Sequence, residues 1–149
     1  MIFISHRGNI NGKKLEEENK ESYILKAIEL GYDVEVDVWY LPSSGWYLGH
    51  DEPQYPTTLE FLKNSKLWIH AKNYDALNNL TQKSYNCFWH QEDNFTLTTT
   101  GHIWTYPSQK LGKRSICVLP EQYTDDILFD VYGICSDFIE RYRSGYKRA

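Results

Sequence analysis

Apolar residues fall in short runs separated by polar stretches, and the runs differ in period. Ile2-Phe3-Ile4 opens the chain as a strand that breaks at Arg7-Gly8. Beyond a polar stretch, Asn19 is the expected N-cap of a helix that carries Tyr23, Ile24, Ala27 and Ile28 on one side and stops at Gly31. Val34, Val36 and Val38 alternate with Glu35, Asp37 and Trp39, the period of a strand. Pro42-Ser43-Ser44-Gly45 turns the chain into a further strand, Trp46-Tyr47-Leu48. Strands are also expected at 67–69, 86–89, 103–105, 116–119 and 133–136. Helices are expected at Thr57–Leu62, Asp75–Gln82, Asp125–Tyr132 and Phe138–Tyr146.

Strands alternating with helices indicate an α/β fold, and the number of strand candidates suits a (β/α)₈ barrel. Such barrels use roughly 30 residues per unit, and 149 residues cannot supply eight full units. The expectation is one domain over 1–149, a compact, trimmed TIM-type (β/α) barrel with short or missing crossover helices.

Composition narrows the partners. Sixteen Lys+Arg against twenty Asp+Glu leave a formal charge of -4, which offers no general basic surface for nucleic acid. A mean hydropathy of -0.60 and the lack of a long apolar run argue against a membrane span. The apolar run at the N-terminus is too short for a signal peptide. Three widely spaced cysteines (Cys87, Cys117, Cys135) cannot all pair within the chain, so reduced thiols and a cytoplasmic location are expected.

Polar residues collect at strand ends. His6 follows the first strand, and Glu35 and Asp37 lie two apart on the second, hence on one face. If the valine face packs under helices, the two carboxylates point inward, where they need a cation or a shared proton. A hard ion such as Mg²⁺ or Ca²⁺ suits oxygen ligands. His70 and Lys72 alternate in the same way with Ile69 and Ala71, and His90 follows Phe88-Trp89. Acid, His and Lys at successive strand ends form the pattern of a site at the C-terminal mouth of a barrel. Each residue alone also fits a bland role: a hydrogen-bonded His, a half-exposed strand, a solvated Lys.

Ser5-His6-Arg7-Gly8, Glu18-Asn19, Ala27 and Gly31, Val34-Glu35-Val36-Asp37-Val38 and Gly49-His50-Asp51 stand in this order within residues 2–51. This series resembles the signature of the glycerophosphodiester phosphodiesterase family, part of the phosphatidylinositol phospholipase C-like superfamily. Beyond residue 51 the likeness thins to Ile69-His70-Ala71-Lys72, Ile103-Trp104-Thr105-Tyr106 and Gly133-Ile134-Cys135-Ser136-Asp137, as in a short, divergent member. The resemblance implies a metal-dependent barrel phosphodiesterase with His6 and His50 as general acid and base. It also implies that Glu35 and Asp37 hold the cation and that Arg7 and Lys72 hold the phosphate.

Two departures alter the picture. His70 stands where the family has its third metal carboxylate. Three outcomes are open: an altered metal preference, since imidazole suits Mn²⁺ or Zn²⁺ better than Ca²⁺, substitution by Glu92 or Glu121, or weakened metal binding. The segment that family members insert after His50 is missing, which suggests a more open mouth and a glycerophosphodiester-like, sugar-linked or polymer-linked diester. His90, Glu92, Trp104 and Glu121 are the candidate substrate contacts. Two alternatives stand beside hydrolysis. One is a non-catalytic binder of phosphorylated sugars or lipid headgroups, and the other a lyase that releases a cyclic phosphate.

Overall fold

The computed structural model describes residues 1–123 and 130–148. In chain order these form β1 (Ile2–His6), α1 (Glu21–Glu29), β2 (Asp33–Leu41), β3 (Gly45–Leu48), β4 (Tyr55–Thr57), α2 (Leu59–Leu62) and β5 (Leu67–Ala71). There follow α3 (Tyr74–Thr81), β6 (Cys87–Trp89), β7 (Phe95–Leu97), β8 (Ile103–Thr105), β9 (Ser115–Val118), a 3₁₀ turn (Pro120–Gln122), β10 (Gly133–Ser136) and α4 (Ile139–Arg148). All the strands predicted from sequence form, and β4 and β7 are additional. The helix expected over Asp125–Tyr132 lies largely outside the described residues, and 130–132 are bends. No described helix is long and apolar enough to cross a membrane.

The local reasons are those of the pattern, with one exception. Gly31, at φ 90°, ends α1 where a side chain would be strained. Asn73 caps α3 by accepting from Ala76 N at 3.0 Å, and Thr58 caps α2 by accepting from Phe61 N at 3.1 Å. The exception is the start of α1. Its N-cap is Lys20, with no side-chain bond, because the Asn19 side chain is committed to Asp37.

Strands β6-β5-β2-β1-β10-β9-β8 run parallel in that spatial order. The β3–β4 hairpin joins β2 antiparallel, and β7 joins β8 antiparallel. The result is a curled, mixed half-barrel sheet, not the TIM-type (β/α) barrel expected from the strand count. Such a barrel needs parallel strands each followed by a helix. Here the connection from β2 to β5 carries the β3–β4 hairpin and only the four-residue α2, and β7 stands in place of a helix between β6 and β8. The Tyr106–Arg114 connection, broken by Pro107 and Gly112, has none. Across the seam between β6 and β8, Thr99 N donates to Cys87 O at 2.9 Å and Thr96 Oγ1 to Trp89 O at 2.7 Å.

Alternation along the strands sorts side chains to two sides. Outside, Val34, Val36, Val38, Ile69 and Ala71 pack with Ile24 and Ala27 of α1 and Ala76 and Leu80 of α3. Ile134 and Cys117 pack with Ile139 and Tyr142 of α4. Inside the curl, Ile4, Trp68, Phe88, Trp104, Ile116, Val118 and Cys135 form the floor. Trp104 stacks on Phe88 with ring centroids 4.6 Å apart, closing the space between the sheet's ends. Above that floor the inward positions are polar.

Gly8 ties the first loop to α1. Its φ is +96°, and a Cβ there would come within 2.5 Å of the Tyr23 ring. Gly8→Ala should therefore destabilise the fold by about 2–3 kcal/mol, read as a lower urea midpoint at unchanged m. A midpoint equal to wild type would show that the Tyr23 ring and the loop relax freely.

Candidate functional site

Parallel pairing brings distant residues to one rim. The register sets His6 opposite Glu35 and Asp37 opposite His70. Pairing of Ser5 with Ser136 brings the residues that follow them, His6 at the end of β1 and Asp137 just beyond β10, together. The loop after β3 is drawn back onto β2 by Gly49 N donating to Asp37 O at 3.1 Å and Trp39 Nε1 donating to Gly49 O at 2.7 Å. These bonds place His50 at the mouth of a cavity of about 550 Å³.

Glu35 and Asp37 are fully buried, and their surroundings treat them differently. Burial, and then the neighbouring Asp37 charge, raises the Glu35 carboxyl well above its ordinary value. Burial also works against ionised Asp37, but the His50 and His70 rings beside it and the Arg7 charge outweigh it and hold that carboxyl well below the usual range. Asn19 adds to this, with its amide donating to Asp37 Oδ2 at 2.9 Å and its carbonyl accepting from Asp37 N at 3.0 Å. Asn19 does so from a left-handed backbone, φ 65°.

His70 links the pair to β6. Its Nε2 lies 3.1 Å from the carbonyl oxygen of His90. A carbonyl only accepts, so Nε2 carries the hydrogen. Nδ1 then faces Asp37 Oδ1 at 3.1 Å and Glu35 Oε1 at 3.9 Å. Glu35 Oε2 and Asp37 Oδ1 are buried and have no hydrogen-bond partner. Ligand atoms of Glu35, Asp37 and His70 all lie within 4.8 Å of one another. Unshared electron pairs so close together require a proton or a cation among them.

His6 is held from behind. Its Nδ1 is 2.7 Å from Asp137 Oδ1. Burial opposes the charge on Asp137, but the His6 bond and Asn9 overcome it and lower that carboxyl, which therefore accepts from Nδ1–H. In the neutral ring Nε2 keeps its lone pair, 3.6 Å from Glu35 Oε2. Asn9 donates to Asp137 Oδ1 and to Glu18 Oε1, both at 2.9 Å, and Arg7 NH1 donates to Glu18 Oε2 at 3.2 Å. The Arg7 guanidinium also meets Asp37 Oδ2 through Nε at 3.2 Å and donates to His50 Nε2 at 3.3 Å. His50 Nδ1 lies 3.4 Å from Asp37 Oδ2. Lys72 Nζ stands 4.0 Å from Asp37 Oδ1. Four buried carboxylates, Glu18, Glu35, Asp37 and Asp137, thus face Arg7 and Lys72, with the half-exposed Lys13 Nζ at 3.9 Å from Asp137. With Glu35 ionised the acids exceed these cations by one, and a proton on Glu35 balances them.

His6, Arg7, Glu35, His50, His70, Lys72, His90 and Trp104 line the cavity together with Trp39, Trp89, Gln91 and Tyr106. Glu92 is exposed and is not among the lining residues. Glu121 is also outside the lining. It accepts from Ser136 Oγ at 2.9 Å and from Asp137 N at 3.0 Å, and so holds the end of β10. Neither residue replaces His70 beside Glu35 and Asp37. Asp137 and Asn9 carry no role in the sequence reading, although Asp137 follows the last strand as His6 follows the first. Only the β1–β10 pairing makes them neighbours, across 131 positions.

Titration gives a test of the carboxylate pair. Folded Glu35 holds its proton to higher pH than the unfolded chain does. The metal-free protein therefore loses stability as pH rises from the ordinary carboxylate value through the folded one. Glu35→Gln cannot titrate, so its melting temperature without added metal should exceed wild type at pH 8 and match it more closely at pH 4. A lower melting temperature at pH 8 would place an ionised, well-paired Glu35 there instead. Asp37→Asn removes the buried partner of Arg7, His50 and His70, and should cost about 3–5 kcal/mol in urea unfolding at pH 7. The chain matches no family model, no curated protein and no solved structure.

Proposed function

We propose that this protein is a metal-assisted phosphodiesterase of the glycerophosphodiester type. The observation that carries this reading is the convergence of Glu35, Asp37 and His70 on one point beside an Asp137-oriented His6. The donor set fits a divalent cation. It has two buried carboxylate oxygens without partners and an imidazole Nδ1 whose other nitrogen donates to a backbone carbonyl, the usual outer support of a histidine ligand. With one nitrogen among the donors, Mn²⁺ or Zn²⁺ is favoured over Ca²⁺, and Mg²⁺ is the hard-ion alternative. A cation held there neutralises charge on the non-bridging oxygens of a phosphodiester.

The chain's own groups then divide the remaining work. His6 Nε2, with Nδ1–H anchored on Asp137, takes the proton of an attacking water. Arg7 and Lys72 supply positive charge to the phosphoryl oxygens. His50, half-exposed at the mouth, gives a proton to the departing alkoxide. One P–O bond forms to water and one breaks to the leaving group, yielding a phosphomonoester and an alcohol. Before His50 acts, the Arg7–His50 bond at 3.3 Å must open, since Arg7 occupies the nitrogen that would carry the proton. A phosphate entering the cavity competes for that guanidinium.

Turnover of bis(p-nitrophenyl) phosphate and glycerophosphocholine should fall by about 10²–10⁴ in His6→Ala and in His50→Ala, with far-UV circular dichroism unchanged. Wild-type rates in either variant would remove that residue from proton transfer. Chelation should abolish activity, and Mn²⁺ should restore it better than Ca²⁺. Chelator-resistant turnover would overturn the cation site. Phosphorus NMR of the product distinguishes hydrolysis from release of a cyclic phosphate, because only the latter leaves a diester resonance.

A further inference from the structure

The cavity has two unlike halves. Strands β1, β2 and β5 contribute the charged groups described above. The opposite wall, from β6, β8, β9 and the residues just beyond them, contributes Trp89, His90, Trp104, Tyr106 and Leu119, with no Asp, Glu, Lys or Arg among them. Two ring pairs make this wall rigid. His90 lies on Tyr106 with centroids 3.6 Å apart and planes 18° apart, and Trp104 lies on Phe88 at 4.6 Å. A wall already stacked loses little side-chain freedom when a ligand covers it.

Its polar atoms are under-used. His90 Nδ1 is buried without a hydrogen-bond partner. The Tyr106 phenol stands at the cavity wall beside the Trp104 ring. Among the described residues no hydrogen bond engages the Tyr106 hydroxyl, which both donates and accepts. The wall therefore presents flat apolar faces together with an unspent donor and an unspent ring nitrogen. None of these groups has a part in the proton transfers or cation site proposed above.

We infer that this wall is a subsite for a pyranose ring, so that one ester arm of the diester carries a neutral sugar. This rests on the phosphodiesterase reading for the position of the phosphate. A pyranose has an apolar C–H face to lie against aromatic rings, and hydroxyls that serve as donor or acceptor for Tyr106 and His90. A glycerol arm supplies the hydroxyls without the face. A simple aryl arm supplies the face and leaves the buried polar atoms unpaired, which costs affinity. Among the described residues this wall has no Lys or Arg, which selects against an arm bearing a second phosphate.

The test measures binding, separately from turnover. With the full chain at fixed MnCl₂, titration calorimetry should show glucose 6-phosphate binding roughly tenfold or more tighter than glycerol 3-phosphate, the gain of one or two well-placed hydrogen bonds. Tyr106→Phe, which keeps the stacked ring and removes only the hydroxyl, should shrink that ratio, and His90→Ala should shrink it further. Equal affinities, or a ratio untouched by Tyr106→Phe, would overturn the subsite. So would tighter binding of AMP than of glucose 6-phosphate, which would mark the wall as a base-stacking surface, or no detectable binding of either phosphate. Turnover of bis(p-nitrophenyl) phosphate with equal affinities would leave the phosphodiesterase standing and remove the subsite. A clear preference for glucose 6-phosphate without turnover of any diester would do the reverse.

Discussion

Two carboxylates placed on the inner face of a central strand impose the conditions that the rest of the site satisfies. Glu35 and Asp37 are fully buried on β2, the strand that pairs with β1, β3 and β5. Removing two like charges from water is unfavourable unless counter-charges, hydrogen bonds or a proton compensate. Asp37 receives Arg7, Asn19, His50 and His70. Glu35 receives little, and its proton affinity rises in response. The first loop, the β3 hairpin and β5 each deliver a group to the same small volume, so the local topology serves the electrostatics of one strand.

The curl of the sheet follows from what fills it. Trp68, Phe88 and Trp104 are large and meet across the seam between β5, β6 and β8, while a few Thr-mediated bonds stand where a ladder would close a barrel. An aromatic floor supplies a dry base for the charged rim, and low local dielectric strengthens every interaction above it. The same wall of rings gives the cavity its second, uncharged half. A fully wound barrel would need helices that the connections from β6 to β8 and from β8 to β9 do not contain.

Much of this was legible along the chain because it depends on near neighbours. The alternation at Val34–Asp37 showed which residues share a face, and Pro42–Gly45 marked a turn. The histidines and acids at strand ends marked the rim. Where the reading went astray, the deciding contact was distant or depended on which strands pair. Asn19 has the composition of a helix cap, yet Asp37 claims its side chain. Eight strand-like runs suggested a closed barrel, yet Trp46–Leu48 pairs antiparallel, a direction that an isolated apolar run does not encode. Glu121 is acidic and near a strand end, yet it faces the Ser136 hydroxyl and the Asp137 amide rather than the cavity.

By itself, then, the sequence determined the elements, their faces and the residue types collected at the strand ends, because periodicity and turn chemistry act over a few positions. Tertiary structure alone decided the partners. It joined Asp137 to His6 across 131 positions, set His70 rather than Glu92 or Glu121 beside the carboxylate pair, and separated two acids of similar intrinsic strength. Those outcomes depend on strand order, register and burial, and charges interact through space and local dielectric, not along the chain.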